Sequence, residues 1–274
     1  MALRIEDLDG PRVKPGAADM AIDDLRWLGL DWDDGPTYQS GRASVYRSAV
    51  DRLIAAGVAY PCVCSRKEVE LAASAPHASD GSAIYPGTCR GRFRTMDEAR
   101  HISGRESAVR FAVPADRVVR FDDGFAGHPS FDVARELGDF VILKNDGTAA
   151  YQLAVVIDDA AAGVTHIVRG DDLLDSTPRQ ILLYEALGMA DRIPTYTHVP
   201  LVTGPDGRRL AKRHGDTRLR AYRDAGVPAA RILTLLAGWC GIDPPADCTT
   251  ARTLIGRFEL ERLPKGPIRF DGAL

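Results

Sequence analysis

The sequence predicts an α/β fold: a parallel sheet split into two halves by an insertion, followed by a helical C-terminal part. Three observations predict it. Short apolar runs alternate with stretches of helical spacing on both sides of residues 58–130. Residues 58–130 interrupt that alternation with a cysteine cluster, a small-residue loop and two strand-like runs. From about Asp216 the strand signals stop and helical spacing takes over. Strands that alternate with helices pair as parallel βαβ units, so the two alternating halves imply one divided sheet.

The chain starts on Leu3-Arg4-Ile5-Glu6-Asp7-Leu8-Asp9, an apolar strand running into carboxylates. This reads as the second strand of a nucleotide-binding domain, so the first strand and its phosphate-binding turn are expected to be missing from this chain. Pro15-Gly16 breaks the chain. Ile22, Leu25 and Leu28 then give a helix over 18–28, and residues 29–36 form a turn-rich loop. Tyr46, Ala49, Val50, Leu53 and Ile54 follow the i, i+3, i+4, i+7, i+8 pattern of an amphipathic helix, which Gly57 is placed to end. Within the insertion, 108–113 and 117–121 are strand-like. Beyond it come a short buried strand at 140–143, a turn at Asn145-Asp146-Gly147, a helix over 151–161 and a strand at 165–168. The next helix is expected to be capped by Thr177 with Pro178 in its first position. A strand at 196–202 follows, Pro228 starts a helix, and 249–258 suggests another. The expected organisation is therefore a first half over 1–57, the insertion over 58–130, a second half over 131–202, and a basic loop with helices over 203–274.

With 274 residues, 45% of them hydrophobic and 27% charged, the chain is long enough for one large or two smaller domains. No apolar run approaches the roughly 20 residues of a membrane span, and no signal-peptide pattern is seen, so a cytoplasmic protein is expected. A net charge of −3 leaves RNA contact to local basic clusters. Of the five cysteines, Cys62, Cys64 and Cys89 cluster while Cys240 and Cys248 lie far downstream. That distribution fits a reduced protein with one metal site better than a disulfide framework. Only five lysines occur, at 14, 67, 144, 212 and 265, so the place of each is informative.

Three constellations carry chemistry. Cys62-Val63-Cys64 and Tyr85-Pro86-Gly87-Thr88-Cys89 can bring three thiolates to one Zn²⁺, which in structural sites takes four tetrahedral ligands. The fourth ligand is left open between His77, an orthodox imidazole in a small-residue loop, and Tyr85, an unusual phenolate. The competing reading is three buried free thiols. Second, Arg208-Arg209-Leu210-Ala211-Lys212-Arg213-His214 follows the turn formers Gly204-Pro205-Asp206-Gly207. A basic loop after a strand can meet phosphates at the sheet's carboxyl edge, where Lys212 would stabilise charge on a departing pyrophosphate. The competing reading is a solvated basic hairpin. Third, Glu6, Tyr151 and Arg169 sit where strands end. A carboxylate facing an ammonium and a guanidinium gripping a carboxylate would suit a zwitterionic amino acid, although singly each is an ordinary surface or structural residue.

The resemblance becomes specific in 4–9, Trp27-Leu28-Gly29-Leu30-Asp31-Trp32-Asp33, Tyr38-Gln39-Ser40, Tyr60-Pro61-Cys62-Val63-Cys64, 151–159 and His166-Ile167-Val168-Arg169-Gly170-Asp171-Asp172-Leu173. These segments resemble, in order and over nearly the whole chain, the catalytic domain of the glutamyl-tRNA synthetases, a class I, Rossmann-type family. Residues 209–213 align with its second signature loop, usually written KMSKS. The short chain and the Cys-x-Cys…Tyr-x-x-x-Cys pattern are similar to the glutamyl-Q tRNA(Asp) synthetase branch. That branch activates glutamate with ATP without tRNA and esterifies it onto the queuosine base at the wobble position of tRNA(Asp). The resemblance implies zinc on Cys62, Cys64, Tyr85 and Cys89, displacing His77. It implies glutamate on Glu6, Tyr151 and Arg169, and ATP (with Mg²⁺) on Lys212 and its loop neighbours Arg209, Leu210, Ala211 and Arg213. Queuosine-bearing tRNA(Asp) is the expected partner and a monomer the expected state.

The sequence departs from the family pattern in three places. The loop between Cys64 and Tyr85 is longer than the family's, and Arg209 and Ala211 replace more typical signature residues. The family also begins with a strand bearing an Arg and a Ser that contact glutamate, followed by the HIGH-type turn that cradles ATP phosphates. None of His77, His101, His128, His166, His198 and His214 lies in such a context. Two accounts follow: Met1 is an internal position of a longer natural chain, or the product is a binder of tRNA or glutamate without catalysis. A fragment of a discriminating glutamyl-tRNA synthetase is the further alternative. The expectation for the 274-residue chain by itself is little or no glutamate-dependent ATP–pyrophosphate exchange.

Overall fold

The computed structural model describes residues 1–8, 10, 13–72, 83–210, 217–243 and 250–272. His77, Ala211, Lys212, Arg213 and Cys248 lie outside the described residues. In chain order the elements are β1 (Ala2–Ile5), α1 (Ala17–Trp27), β2 (Asp34–Tyr38), α2 (Ala43–Ala55), β3 (Ala59–Cys62), α3 (Arg66–Ala72) and α4 (Met96–Ser103). They continue with β4 (Ala108–Phe111), β5 (Val118–Arg120), β6 (Ser130–Asp132), α5 (Val133–Glu136), β7 (Phe140–Leu143), α6 (Tyr151–Ala162) and β8 (His166–Gly170). Last come α7 (Ser176–Ala186), β9 (Thr195–Val199), β10 (Val202–Thr203), α8 (Leu219–Asp224), α9 (Ala229–Trp239) and β11 (Ile268–Arg269).

These elements form two compact units. One gathers Met1–Ile5, Pro11–Thr37 and Val199–Leu274, and the other Glu6–Gly10 and Tyr38–His198. In the first, β1 pairs with β2 and β10 runs parallel to β11, with Val202 opposite Ile268. A side chain at Gly35 would place its Cβ 2.5 Å from the Leu3 carbonyl oxygen, and its φ of 97° is one that other residues rarely adopt. Glycine is what allows β2 to approach β1 there. Arg220 and Arg223 of α8 reach Asp23 of α1 at 2.7 and 2.8 Å.

The second unit holds the main core. Tyr46, Val50 and Leu53 of α2 pack with Val109, Phe111, Ile142, Leu153, Val156 and Leu183. Residues 153–160 of α6 are all buried, which is why the helix reads as almost continuously apolar rather than amphipathic. Asp158 and Asp159 are the polar exceptions, and Asp158 accepts hydrogen bonds from Gln39 Nε2 (2.8 Å), Arg42 Nε (2.7 Å) and the Tyr46 hydroxyl (2.7 Å), so its buried carboxylate is met. β8 and β9 pair around the α7 crossover. They run the same way: Thr195 meets Thr165 at their starts, and Arg169 meets His198 further along both.

Several expectations change. The strand at 140–143 was expected in the parallel sheet, yet β7 pairs antiparallel with β4, which pairs antiparallel with β3. An apolar run of four residues carries no record of its partner's direction. The loop at 29–36 gives way to β2 from Asp34. Thr177 is not a cap: α7 starts at Ser176, and the fully buried Thr177 hydroxyl is instead a partner of Arg169. The 196–202 run divides into β9 and β10, and the 249–258 helix is a 3₁₀ turn over Ala251–Arg257. α3, not anticipated, opens with a capping box in which Ser65 Oγ accepts from Glu68 N (3.2 Å) and Glu68 Oε2 accepts from Ser65 N (2.6 Å).

Candidate active site and thiol cluster

Two constellations form within the second unit. The first begins where β3 ends on Cys62. Cys64 lies two residues on, and a turn through Gly87, whose φ is 80°, brings Cys89 back. The three sulfurs lie within 4.8 Å of one another, with Cys64 and Cys89 at 3.5 Å. The Tyr85 hydroxyl oxygen sits among them, 3.3 Å from Cys62 Sγ and 3.5 Å from Cys64 Sγ, and accepts the Cys89 backbone N–H at 2.8 Å. Cys62 and Cys89 are each 1% exposed and Tyr85 6%. Burial pushes the Cys64 thiol up to about 11 and, with the thiols as hydrogen-bond partners, pushes the Tyr85 phenol up as well. Cys89 is lowered: burial opposes this, but bonds from Tyr85, the Val63 backbone and the neighbouring thiols outweigh it. Arg110 donates to Cys62 Sγ at 3.4 Å and lies 3.9 Å over the Tyr85 ring.

This donor set fits a tetrahedral ion. Zn–S bonds of about 2.3 Å require sulfurs about 3.8 Å apart, and a Zn–O bond of about 2.0 Å requires S···O near 3.5 Å. The Tyr85 phenol oxygen is thus at ligand spacing, while His77 lies outside the described residues. A cleft of about 1160 Å³ opens beside the cluster, with Cys62, Cys64, Tyr85 and Arg110 in its wall. It does not include Glu6, Tyr151 or Arg169.

The second constellation is assembled from distant parts of the chain. Glu6 follows β1, and the two residues after it are anchored. Asp7 accepts from Ser40 N (2.8 Å) and Ser40 Oγ (2.5 Å), and Lys144 Nζ donates to the Leu8 carbonyl (3.1 Å). Tyr151 is the first residue of α6 and Arg169 lies on β8. The Tyr151 phenol is pushed up, chiefly by burial. The Arg169 charge and a hydrogen bond to Arg169 pull it down, and the Glu6 carboxylate pushes it up. Tyr151 itself is 39% exposed.

Arg169 is held from behind. Its Nε donates to His198 Nε2 at 3.0 Å, its Nη2 donates to Thr177 Oγ1 at 2.8 Å, and its guanidinium carbon lies 5.5 Å from the Tyr196 ring centre. His198 Nδ1 faces Asp123 Oδ2 at 2.6 Å. The sequence reading gave Asp123 and His198 no site role and took Thr177 for a helix cap. Nothing in spacing connects Asp123 to position 198.

Arg209 and Leu210 belong to the first unit, where residues 202–210 form a hairpin. Gly204 N donates to the Arg208 carbonyl (2.8 Å), Leu210 N donates to the Val202 carbonyl (3.2 Å), and Thr203 bridges Arg209. Beyond Leu210 the basic loop, Lys212 included, is outside the described residues.

With this geometry in place, the comparisons become informative. The family model for tRNA synthetases class I (E and Q), catalytic domain, matches residues 1–272. The chain belongs to this family. It is 48% identical over 277 residues to a Glutamyl-Q tRNA(Asp) synthetase of Symbiobacterium thermophilum, covering 97% of this chain and 84% of the relative. It is 42% identical over 263 residues to a Glutamate--tRNA ligase of Citrifermentans bemidjiense, where 95% of this chain corresponds to only 54% of the relative. Among solved structures, a glutamate tRNA ligase from Elizabethkingia meningosepticum superposes with a TM-score of 0.77 at 27% identity. That likeness covers 98% of this chain, which spans 60% of the ligase's length. The class I synthetase fold expected from the signature segments is thereby present, with mixed α/β content. No helix among the described residues is long and apolar enough to cross a membrane.

Proposed function

We propose that this chain activates glutamate with ATP, without tRNA, and transfers it to the queuosine base at the wobble position of tRNA(Asp). The observation that supports the reading is the Arg169 fork fixed by His198 and Thr177, in a chain matching relatives named Glutamyl-Q tRNA(Asp) synthetase across 84–86% of their length. Arg169 grips a glutamate carboxylate through paired N–H donors, Glu6 faces the ammonium, and Tyr151 orients the substrate between them. The reacting carboxylate attacks the α-phosphorus of ATP in line, and pyrophosphate leaves. No protein nucleophile is needed, because positioning and charge stabilisation supply the catalysis. Lys212, flanked by Arg209, Leu210, Ala211 and Arg213, neutralises charge on the departing phosphates, with Mg²⁺ accompanying ATP. Zinc, held by Cys62, Cys64, Tyr85 and Cys89, supplies a cross-link between β3 and the 85–89 turn and takes no part in the chemistry. The protein acts as a cytoplasmic monomer.

The test is glutamate-dependent ATP–pyrophosphate exchange without tRNA, run on the 274-residue chain and on any longer product encoded by in-frame upstream codons. Transfer of labelled glutamate to tRNA(Asp) with queuosine, or with guanosine, at the wobble position follows. Exchange plus queuosine-dependent transfer supports the proposal. Glutamate placed on a tRNA 3′ end would replace it with the ligase reading that the Citrifermentans relative suggests. Binding of glutamate without exchange by either product would leave a non-catalytic binder.

A further inference from the structure

We infer that Asp123 and His198 form a buried positioning pair that sets the Arg169 guanidinium in the orientation in which it meets a carboxylate. The inference rests on the reading of Arg169 as the residue that grips glutamate. The His198 side chain has no solvent exposure and lies between two groups of opposite charge. Arginine carries only donors, so the contact from Arg169 Nε requires a lone pair on His198 Nε2. The ring proton must therefore sit on Nδ1, where it is donated to Asp123 Oδ2 at 2.6 Å. One imidazole tautomer, neutral and fixed in orientation, follows from the donor chemistry of its two neighbours.

Asp123 is in turn fixed by backbone. Its Oδ1 accepts from Phe125 N (3.0 Å), Ala126 N (2.8 Å) and His198 N (3.1 Å). The loop that carries it docks on β9, where Gly124 N donates to the Tyr196 carbonyl at 2.8 Å, and is closed on itself by Asp123 N donating to the Gly127 carbonyl at 2.7 Å. A Cβ at Gly124 would lie 2.5 Å from Thr197 Oγ1, so only glycine lets this backbone lie so close to the strand. The chain of contacts thus runs from a loop before β6, through His198 on β9, to Arg169 on β8. Two of the five guanidinium donors are taken along the Nε–Nη2 edge by His198 and Thr177, which fixes the plane of the fork. The same buried groups bind no ligand themselves. They act through Arg169, directly and by way of the Thr177 hydroxyl, which lies 3.2 Å from His198 Nε2 and accepts from Arg169 Nη2.

The experiment is calorimetric titration of L-glutamate into the 274-residue chain and its variants, each with a melting temperature. Arg169→Ala is the control for the underlying reading and should weaken binding about 30-fold or more, the loss of charge-assisted hydrogen bonds. His198→Leu removes the acceptor and should weaken binding about tenfold. His198→Gln places an amide oxygen near the Nε2 position and should restore affinity to within about threefold. Asp123→Asn keeps the shape. Its amide must direct N–H either at His198, forcing the wrong tautomer, or at the backbone donors, so it should bind about tenfold more weakly. If Arg169→Ala binds like the wild type, the glutamate reading fails first and the pair with it. If Arg169→Ala is impaired while His198→Leu or Asp123→Asn binds normally, the pair is wrong and the glutamate reading stands. Should His198→Leu fail to fold, the Gln and Asn variants decide: equal loss in both would reduce His198 to packing and overturn the inference.

Discussion

The thiol cluster and the Glu6–Tyr151–Arg169 constellation lie in the same compact unit but are built in opposite ways. The cluster closes within one short stretch, from Cys62 to Cys89, with Cys62, Tyr85 and Cys89 buried and Cys64 partly so. The second constellation draws on positions 6, 151 and 169, is backed by 123, 177 and 198, and stays partly open. The difference teaches where each region keeps its organisation. In the cluster three thiols and a phenol converge on one point, so removing a thiol should disturb the whole site. In the open constellation the surrounding helices and strands organise the side chains, so its support should be distributed and its single losses smaller.

The largest expected effect therefore belongs to the cluster. Cys89→Ser is expected to lose bound zinc and to lower the melting temperature by about 10 °C, on the basis of about 3–4 kcal/mol for a lost structural ligand and about 2–4 °C per kcal/mol in a chain this long. Tyr85→Phe should keep the metal at lower affinity, because three thiolates remain and water can complete the tetrahedron. Metal analysis and thermal melts on both variants check this. Zinc stoichiometry equal to wild type in Cys89→Ser would remove the metal-centre reading and leave three buried thiols bonded to a phenol.

The same contrast explains what was legible. The Cys-x-Cys pair and a third cysteine behind a glycine turn are a local pattern, and α1, α2 and α6 were visible because their apolar residues recur along one segment. Spacing could not say whether His77 or Tyr85 completes the cluster, since that depends on which group the turn carries inward. Glu6, Tyr151 and Arg169 were named through likeness to a family and not through any periodicity. Their support was not seen at all. Thr177 looked like a helix cap because threonine before proline is the usual signal, yet its hydroxyl serves Arg169. The antiparallel placing of β7 went unseen for the same reason: four apolar residues specify burial, and only the fold specifies the neighbour.

A middle-sized effect tests whether support for the open constellation is distributed. Asp158 anchors α6 to α2 and to the 3₁₀ turn before it through three hydrogen bonds, from Tyr46 on α2 and from Gln39 and Arg42 of the turn. Asp158→Asn should cost about 2 kcal/mol, because the amide cannot accept from every donor and leaves the guanidinium undercompensated. The melting temperature should fall by about 4–8 °C. Glutamate affinity should change less than threefold, since Tyr151 sits at the other end of the helix's first two turns. A drop in affinity as large as that of Arg169→Ala would show that the scaffold and the grip are one cooperative element, and the contrast drawn above would not hold.

The smallest effect lies just past the cluster, where Glu68 closes the capping box of α3 and pairs with Arg105 at 2.9 Å. The Ser65 backbone N–H, the Ser65 hydroxyl and Arg105 together hold its carboxyl down at about 2, against an ordinary value of 4.5. A folded value below the unfolded one means the ionised form stabilises the native state. The contribution is complete above about pH 4.5, fades as the carboxyl takes up protons, and is gone below about pH 2. Glu68→Gln should therefore melt slightly below wild type at neutral pH, and the two melting curves should converge as the pH is lowered through that window. Glu68 is exposed and its ion pair is screened, so the neutral-pH gap should shrink in high salt without closing, because the bonds to Ser65 are short-ranged. A gap that stayed constant from pH 7 to pH 2 would mean that the glutamate acts at α3 through packing rather than charge. The local order around the thiol cluster would then owe nothing to its cap.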